Sequence, residues 1–303
     1  MSNDNSTYIF NNNDLTLNNI SQIIDFNFQI ELSEIVKENI LSNRAFLESK
    51  IENNDRLYYG INTGFGSLCN HGVSKDELKK LQLNLVRSHA CGASDEIDSI
   101  LVKLMLLLKV NALSKGFSGV NLATVERLVF LFNNDILPVV YESGSLGASG
   151  DLAPLAHLSL ALIGEGYVNY QGERIRTKDL YQKLHLNPIE LGAKEGLALL
   201  NGTQFMSAHG TYAVLKMDNI FNWTTKIAAL SLDAYNCRLD PFNQQIHKVR
   251  PYEGQLNTAE AILETLHSSD LANVEDKDVQ DPYSFRCIPQ VHGASLDVLS
   301  NFK

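Results

Sequence analysis

The chain has 303 residues, 44% of them hydrophobic and 20% charged. This composition excludes a disordered or collagen-like protein and suits a globular fold with one large core or two modest ones. The formal net charge of −10 argues against nucleic acid and anionic membrane surfaces as partners, because both reward clustered lysine and arginine. We therefore expect a small molecule as partner.

Targeting signals and metal motifs are missing from the sequence. Residues 2–5 follow Met1 without the basic and then apolar run of a signal peptide, and the apolar stretch 101–110 is interrupted by two lysines. We therefore expect a cytoplasmic protein. The four cysteines form no CxxC pair, and the eight histidines show neither HxxxH nor HExxH spacing. We expect free thiols and no metal.

The predicted elements in chain order are mostly helical. Residues 1–14 are rich in asparagine and serine and are expected to be flexible. Ser74 and Glu77 form a capping-box pattern ahead of a helix that ends with Arg87, Ser88 and His89. Apolar periodicity predicts further helices at about 95–114, 119–133 and 152–164. A short hairpin is predicted to begin at 166–170. The proline-free run 202–237 permits one or two long helices.

The segment 144–151 carries the most distinctive chemistry. Gly144, Gly147 and Gly150 permit backbone turns that side chains disfavour. One interpretation is a flexible loop that leads into a helix capped by Asp151. The other is chemical: a tight turn presses the Gly150 nitrogen against the Ala148 carbonyl carbon and closes a five-membered ring. Loss of water would then leave a methylidene at Ser149, an electrophile made without an imported cofactor.

The stretch GSLGASGDLAPLAHLSL resembles the signature of the histidine and phenylalanine ammonia-lyase family. YYGINTGFG, LLNGTQ and QDPYSFRC follow the same family's order, and the resemblance covers the chain from about Leu15 onward. It implies a mainly α fold, a long-helix bundle of the fumarase/aspartase-like type with a smaller loop-rich N-terminal region. It also implies a methylidene-imidazolone (MIO) group made from Ala148, Ser149 and Gly150, with no external cofactor, and a homotetramer in the full-length form. The expected domains are 15–200, which bears the MIO, and 201–303, the start of the long-helix domain.

The resemblance also implies roles for individual side chains. Tyr59 is similar to the family's catalytic tyrosine, and its pKa must fall from near 10 for it to act as a base at neutral pH. Tyr283 would serve as a second hydroxyl that relays a proton. The substrate-binding candidates are His89, Asn201, Gln280 and Arg286, where the arginine fork matches a carboxylate. Asp151 resembles the residue that assists ring formation, a role compatible with helix capping.

Residues Ser88 and His89 bear on the substrate. The Ser-His pair occurs in the family's histidases, where a polar group can hydrogen-bond an imidazole, and the QDPY string at 280–283 also favours them. The expected reaction is elimination of ammonia from L-histidine to give trans-urocanate, the first step of histidine degradation. Arg-Ser-His also occurs in some tyrosine lyases and aminomutases. A tyrosine or phenylalanine ammonia-lyase or aminomutase is therefore the alternative.

The length of the chain departs from the family pattern. The family's chains continue well beyond the segment that corresponds to Gln290–Gly293 into more long helices, whereas this chain stops at Lys303. We expect either a fragment of a longer protein or a truncated product. The alternative from another functional class is an inactive truncated subunit that only binds full-length partners.

Overall fold

The computed structural model describes residues 6–52, 56–64, 70–74 and 77–303. Cys69, together with Phe65 and Gly66 of the YYGINTGFG motif, lies outside the described residues. By its internal contacts the chain divides into two compact units, residues 1–211 and residues 212–303.

Helices dominate the described residues, as the sequence predicts. The long proline-free run forms one helix of 31 residues, α9. The helices are α1 (Leu17–Asp25), α2 (Glu34–Glu52), α3 (Leu78–His89), α4 (Ser99–Ser114), α5 (Leu122–Asn133), α6 (Leu152–Leu160), α7 (Thr177–Lys183), α8 (Glu195–Leu200), α9 (Gln204–Ala234), α10 (Gln244–Lys248), α11 (Glu253–Leu266), α12 (Tyr283–Arg286) and α13 (Ile288–Phe302). No helix in the described part of the chain combines the length and apolarity needed to cross a bilayer.

The strands are short and form small sheets. They are β1 (Thr7–Phe10), β2 (Gln29–Leu32), β3 (Ala93–Glu96), β4 (Leu137–Pro138), β5 (Tyr141–Ser143), β6 (Tyr167–Tyr170) and β7 (Glu173–Arg176). The antiparallel β6 and β7 form the predicted hairpin, and β4 extends that sheet. β3 pairs antiparallel with β5.

Part of the N-terminal segment expected to be flexible is ordered. β1 runs parallel to β2 with Phe10 opposite Leu32, and both of these side chains are buried. Local composition could not reveal this strand, because its backbone hydrogen bonds and buried side chain depend on a partner more than twenty residues away. The expectation of a loose 1–14 segment is therefore wrong for Thr7–Phe10.

Two helix starts also differ from the sequence pattern. α3 begins at Leu78 with Glu77 as its N-cap, and Ser74 Oγ donates to the Glu77 carboxylate at 2.7 Å instead of capping the helix. α4 begins at Ser99, because residues 93–96 pair as β3 with β5. In the second case a strand partner distant in sequence overrides the local helical pattern.

The core of the first unit is built on α4. This helix is apolar around its circumference, and its central residues Leu104–Leu107 are almost fully buried. It packs against α5, which contributes the buried Leu128 and Phe132. Lys109 lies in the same helix and is 1% exposed. A lysine at that depth requires hydrogen-bonding partners, since burying an unpaired charge is costly.

The core of the second unit lies where α11 packs on α13. The two helices approach at a pair of glycines: a Cβ on Gly254 would lie 2.1 Å from the Gly293 carbonyl oxygen. A Cβ on Gly293 would likewise lie 2.4 Å from the Gln255 Cα. Side chains are thus excluded from the crossing point. The buried cluster of this unit contains Ala228, Ala229, Leu232, Cys237, Phe242, Ala259, Ile262, Leu266 and Ile288.

Candidate functional site

The Ala148–Ser149–Gly150 segment forms a tight turn in the first unit. Gly147 and Gly150 have φ values of 79° and 84°, in the left-handed region that glycine adopts readily. Bridge pairings join Gly147 to Gly150 and Ala148 to Gly150. The turn thus brings the backbones of Ala148 and Gly150 next to each other, which is the proximity that ring closure requires.

The Gly150 backbone is also pressed against the turn that precedes α9. A Cβ on Gly150 would lie only 2.3 Å from the carbonyl oxygen of Gly202. The same oxygen accepts the Asp151 N–H at 2.8 Å. Gly150 is therefore required here both by its φ angle and by the approach of a second backbone.

Asp151 links the loop to the start of α9. Its Oδ2 accepts the Met206 N–H at 2.9 Å, and its Oδ1 accepts the Ser145 hydroxyl at 3.0 Å. Asp151 occupies the predicted N-cap position of α6, but its side chain makes no capping hydrogen bond to that helix. Its carboxylate instead satisfies a free N–H in the first turn of α9, where the helix dipole favours negative charge.

The other end of the glycine-rich loop is held by Gly92 and His157. A Cβ on Gly144 would lie 3.0 Å from the Gly92 Cα. The Gly92 N–H donates to His157 Nε2 at 2.9 Å. Burial lowers the pKa of His157, which favours the neutral ring that can accept this bond.

The loop is exposed in this chain. Ala148 and Ser149 are exposed in this chain, and Leu146 is 92% exposed. The position at a helix start is as expected, since α6 begins at Leu152. The sequence pattern identifies the turn and the helix but does not determine how exposed the loop is.

Lys109 stabilises the turn on which Gly150 rests. Its Nζ donates to the carbonyl oxygens of Ala198 at 3.2 Å and Asn201 at 3.3 Å, and to Gln204 Oε1 at 3.3 Å. Burial lowers the pKa of Lys109 to about 7, and the nearby Asp151 carboxylate partly opposes this shift. The ammonium thus contacts both the end of α8 and the start of α9.

Asn201 lies on this turn as the C-cap of α8. Its side-chain Nδ2 donates to the Leu197 carbonyl at 3.1 Å. Its Oδ1 accepts no hydrogen bond from the described residues, and the side chain is exposed. The turn 201–204 therefore holds both the Asn201 side chain, a candidate substrate-binding group, and the Ala148–Gly150 loop.

His89 is the last residue of α3. Its Nδ1 lies 2.9 Å from the Leu85 carbonyl oxygen and 3.2 Å from Ser88 Oγ. Because a carbonyl oxygen can only accept, Nδ1 carries the proton, and in the neutral ring Nε2 is the acceptor. No hydrogen bond joins His89 to the 144–150 loop among the residues described.

Tyr59 lies in the turn 59–62 of the first unit and is 57% exposed. The turn is fastened on both sides of it: the Tyr58 N–H donates to Asn62 Oδ1 at 2.6 Å, and the Gly60 N–H donates to Thr63 Oγ1 at 3.2 Å. Its fixed backbone and exposed ring suit a group that acts on a bound molecule.

The second unit contains Gln280, Tyr283 and Arg286. Gln280 and Arg286 line a cavity of about 420 Å³. The Arg286 guanidinium lies 4.1 Å from the centre of the Tyr283 ring, a cation–π contact. Its Nε is buried without a hydrogen-bond partner in the described structure. An anionic ligand is a natural partner for such a fork.

Asp281 makes structural contacts. It is buried, and its Oδ2 accepts the Arg238 N–H at 2.8 Å. Burial and the neighbouring Asp281 raise the pKa of the Cys237 thiol to about 11. Cys91, Cys237 and Cys287 are free, as expected. Asp281 thus fixes the segment that carries Gln280.

Lys109 and Ser145 are neighbours of the site that the sequence patterns above do not identify. Lys109 is one of two lysines in an otherwise apolar helix, and a lysine in such a helix is itself a signal of a buried, partnered charge. Nothing in the local sequence relates Ser145 to Asp151.

Comparison with known proteins places this geometry in a family. The aromatic amino acid lyase family matches residues 15–303. The chain is 43% identical over 290 residues to a histidine ammonia-lyase of Staphylococcus saprophyticus, covering 95% of this chain and 58% of the relative. It is 41% identical to a histidine ammonia-lyase of Clostridium tetani, covering 97% and 57%. The chain thus spans less than two thirds of the length of these relatives.

Solved structures give the same picture. A phenylalanine aminomutase from Pantoea agglomerans superimposes with a TM-score of 0.90 at 30% identity, covering 98% of this chain and 60% of that one. A histidine ammonia-lyase from Trypanosoma cruzi gives 0.85 at 35% identity, covering 97% and 55%. The sequence match and the mainly helical fold agree, and the chain belongs to the aromatic amino acid lyase family.

Proposed function

We propose that the protein eliminates ammonia from L-histidine to give trans-urocanate through an MIO group formed from Ala148, Ser149 and Gly150, with no external cofactor. The observation that carries the proposal is the tight turn at these residues, in which Gly150 has φ of 84° and is pressed against the Gly202 carbonyl. An unreactive surface loop does not need this double constraint.

The residues present fit the chemistry of ring formation. The Gly150 nitrogen attacks the Ala148 carbonyl carbon, and the carbonyl oxygen leaves as water with the Gly150 and Ser149 amide hydrogens. The Ser149 hydroxyl leaves as a second water with its Cα hydrogen, which creates the exocyclic double bond. The balance needs no oxidant. Ala148 and Gly150 add little bulk to the compressed turn.

The remaining roles follow from the chemistry of elimination. The MIO group supplies an electrophile for the substrate amine. A weakly acidic β-hydrogen must also be removed, and we assign that step to Tyr59, with Tyr283 as the second hydroxyl. Arg286 holds the carboxylate, since its Nε lacks a partner and its guanidinium lines a cavity with Gln280. Asn201 offers its exposed side-chain oxygen as a hydrogen-bond acceptor for the bound substrate.

Histidine as substrate is supported by His89 and by the relatives. The Nδ1–H of His89 is engaged by the Leu85 carbonyl, so Nε2 can accept the N–H of a substrate imidazole. The S. saprophyticus and C. tetani relatives are named histidine ammonia-lyases. The proposal extends to a cytoplasmic homotetramer, as the family resemblance implies.

A second candidate is an aminomutase or lyase acting on phenylalanine or tyrosine. The similarity of the fold to the P. agglomerans phenylalanine aminomutase favours it. A panel of histidine, tyrosine and phenylalanine, followed by absorbance of urocanate, coumarate and cinnamate and by detection of β-amino acids, separates the two. Efficient conversion of tyrosine with no conversion of histidine would establish the second candidate.

Replacement of the central serine tests the role of the ring. Ser149→Ala removes the hydroxyl that must leave, so we expect no methylidene and the loss of nearly all turnover of histidine. Ser295→Ala, which removes an exposed hydroxyl on α13 that bonds only its own helix, is expected to retain ring formation. Normal activity of Ser149→Ala with histidine would refute the proposed mechanism.

A further inference from the structure

We propose that Lys109 is a positioning residue for ring formation. It fixes the turn 201–204, so that Gly202 holds Gly150 in the geometry that ring closure requires and the position of Asn201 stays constant. This inference rests on the proposed function, because it concerns the same loop. It adds a residue on a different helix that neither touches the reacting atoms nor belongs to the signature around them.

The first step of the argument is the environment of the ammonium. Lys109 is 1% exposed in the middle of an apolar helix, and its three hydrogen-bond partners are all acceptors. In its protonated form the amine has three protons to donate, one for each acceptor. Two of these acceptors are carbonyls at the C-terminal end of α8, where a positive charge is favourable. The third belongs to the first residue of α9, so Lys109 connects the two helices that enclose the turn.

The second step is the path from this turn to the loop. Asn201 and Gln204, which Lys109 contacts, enclose Gly202 and Thr203. The Gly202 carbonyl accepts the Asp151 N–H and meets Gly150. Asp151 in turn accepts the Met206 N–H at the start of α9. The loop is therefore attached to the turn 201–206 at two points, and Lys109 is bonded to the same turn through Asn201 and Gln204.

The third step is what removal of the ammonium would change. The carbonyls of Ala198 and Asn201 would be buried beside an apolar side chain and would lose a donor. The turn could then relax away from Gly150, and ring closure depends steeply on the distance between the reacting atoms. A purely structural lysine would lower stability without a specific effect on closure.

The test follows the intact mass of the protein over time after synthesis or refolding, because a mature ring lowers the mass by two waters. Lys109→Met keeps the length of the side chain and removes the ammonium. We expect maturation to slow by about tenfold or more, measured at a temperature where the variant is folded. Gln204→Leu, which removes one acceptor and leaves Lys109 in place, is expected to slow maturation less.

Two control variants on α4 separate positioning from general effects. Lys103→Met makes the same chemical change at a lysine that bonds Asn27 and Asp135 instead. Leu104→Ala destabilises the buried core without touching the turn. Both are expected to mature at the wild-type rate once folded. Rescue of maturation by Lys109→Arg, which keeps a cation with several N–H donors at this position, would add support.

The outcomes distinguish this inference from the proposed function. A wild-type protein that never loses two waters contradicts ring formation itself. A wild-type protein that matures while Lys109→Met matures equally fast overturns the positioning role and leaves the ring intact as a proposal. If Lys109→Met and Leu104→Ala slow maturation equally at equal thermal stability, Lys109 is structural only, and the inference is also wrong.

Discussion

At the scale of single residues, the hydrogen bond of His89 decides what its ring offers a ligand. Because Leu85 can only accept, the proton lies on Nδ1, and the neutral Nε2 is an acceptor. A phenyl ring carries no donor for this atom, whereas an imidazole N–H and a phenol O–H both can donate to it. The tautomer thus provides a physical basis for discrimination against phenylalanine.

His89→Phe tests this role. The variant cannot accept a hydrogen bond from imidazole, a loss of about 1–3 kcal/mol, so turnover of histidine should fall at least several-fold. Activity with phenylalanine should hold or rise. His267→Phe, a similar change at an exposed position at the end of α11, should leave kcat/KM for histidine unchanged. Unaltered histidine turnover in His89→Phe would show that His89 does not contact the substrate.

Lys109 predicts a pH dependence of stability. Its pKa is about 7 in the folded protein against an ordinary value of 10.5. Between these values the unfolded chain holds a proton that the folded chain has lost, so the free energy of unfolding rises with pH. The slope from one such group is at most about 1.4 kcal/mol per pH unit.

Urea unfolding of wild type and Lys109→Met measures that slope. The measurements run from about pH 6 to about pH 10 at roughly unit intervals, so that they span this titration. The difference in stability between the two proteins should change with pH between 7 and about 10, with wild type gaining relative to the variant. Lys103→Met controls for the titration of other groups, and it should run parallel to wild type. A constant difference between wild type and Lys109→Met would mean that Lys109 keeps its ordinary pKa.

At the scale of elements, the loop 144–150 and the turn 201–204 are joined by direct backbone contacts. Gly150 is the point of contact, and Gly172, in the β6–β7 hairpin, offers a matched comparison. Both glycines have φ near 84°, but a Cβ on Gly172 would meet nothing within 4 Å, whereas one on Gly150 would lie 2.3 Å from a carbonyl oxygen. The pair separates the strain of φ from the close contact.

Gly172→Ala should cost about 1–2 kcal/mol, the strain of a left-handed alanine. Gly150→Ala carries the same strain and a clash, so we expect a larger loss of stability and no detectable ring. Thermal unfolding and intact mass report the two effects. If Gly150→Ala lost no more stability than Gly172→Ala and matured normally, the contact with Gly202 would have no role.

The elements also show how far the sequence alone could go. The proline-free run before Cys237 predicted α9, and alternation predicted β6 and β7, because both patterns are local. β1 and the true partner of Asp151 depend on residues 22 and 55 positions away, and no local pattern encodes such pairings. The side-chain cap predicted at Asp151 failed for this reason, whereas Ser74 donates to the local Glu77 carboxylate instead of capping the helix.

At the scale of the whole molecule, the candidate residues are divided between the two compact units. The first unit carries Tyr59, His89, the Ala148–Gly150 loop and Asn201, and the second carries Gln280, Tyr283 and Arg286. These residues could be identified from the sequence because they lie in motifs that resemble those of the family. Their support could not be predicted, because Lys109 reaches the turn 201–204 through contacts between residues far apart in sequence and no local pattern relates Ser145 to Asp151.

The central claim is that Ala148, Ser149 and Gly150 cyclise. The most direct measurement is the intact mass of the purified protein, followed by peptide mapping of the 144–151 segment. We predict a mass lower than that of the unmodified sequence by two waters, with the loss confined to this segment and absent in Ser149→Ala. A protein of full unmodified mass, or one in which the loss persists in Ser149→Ala, would contradict the claim.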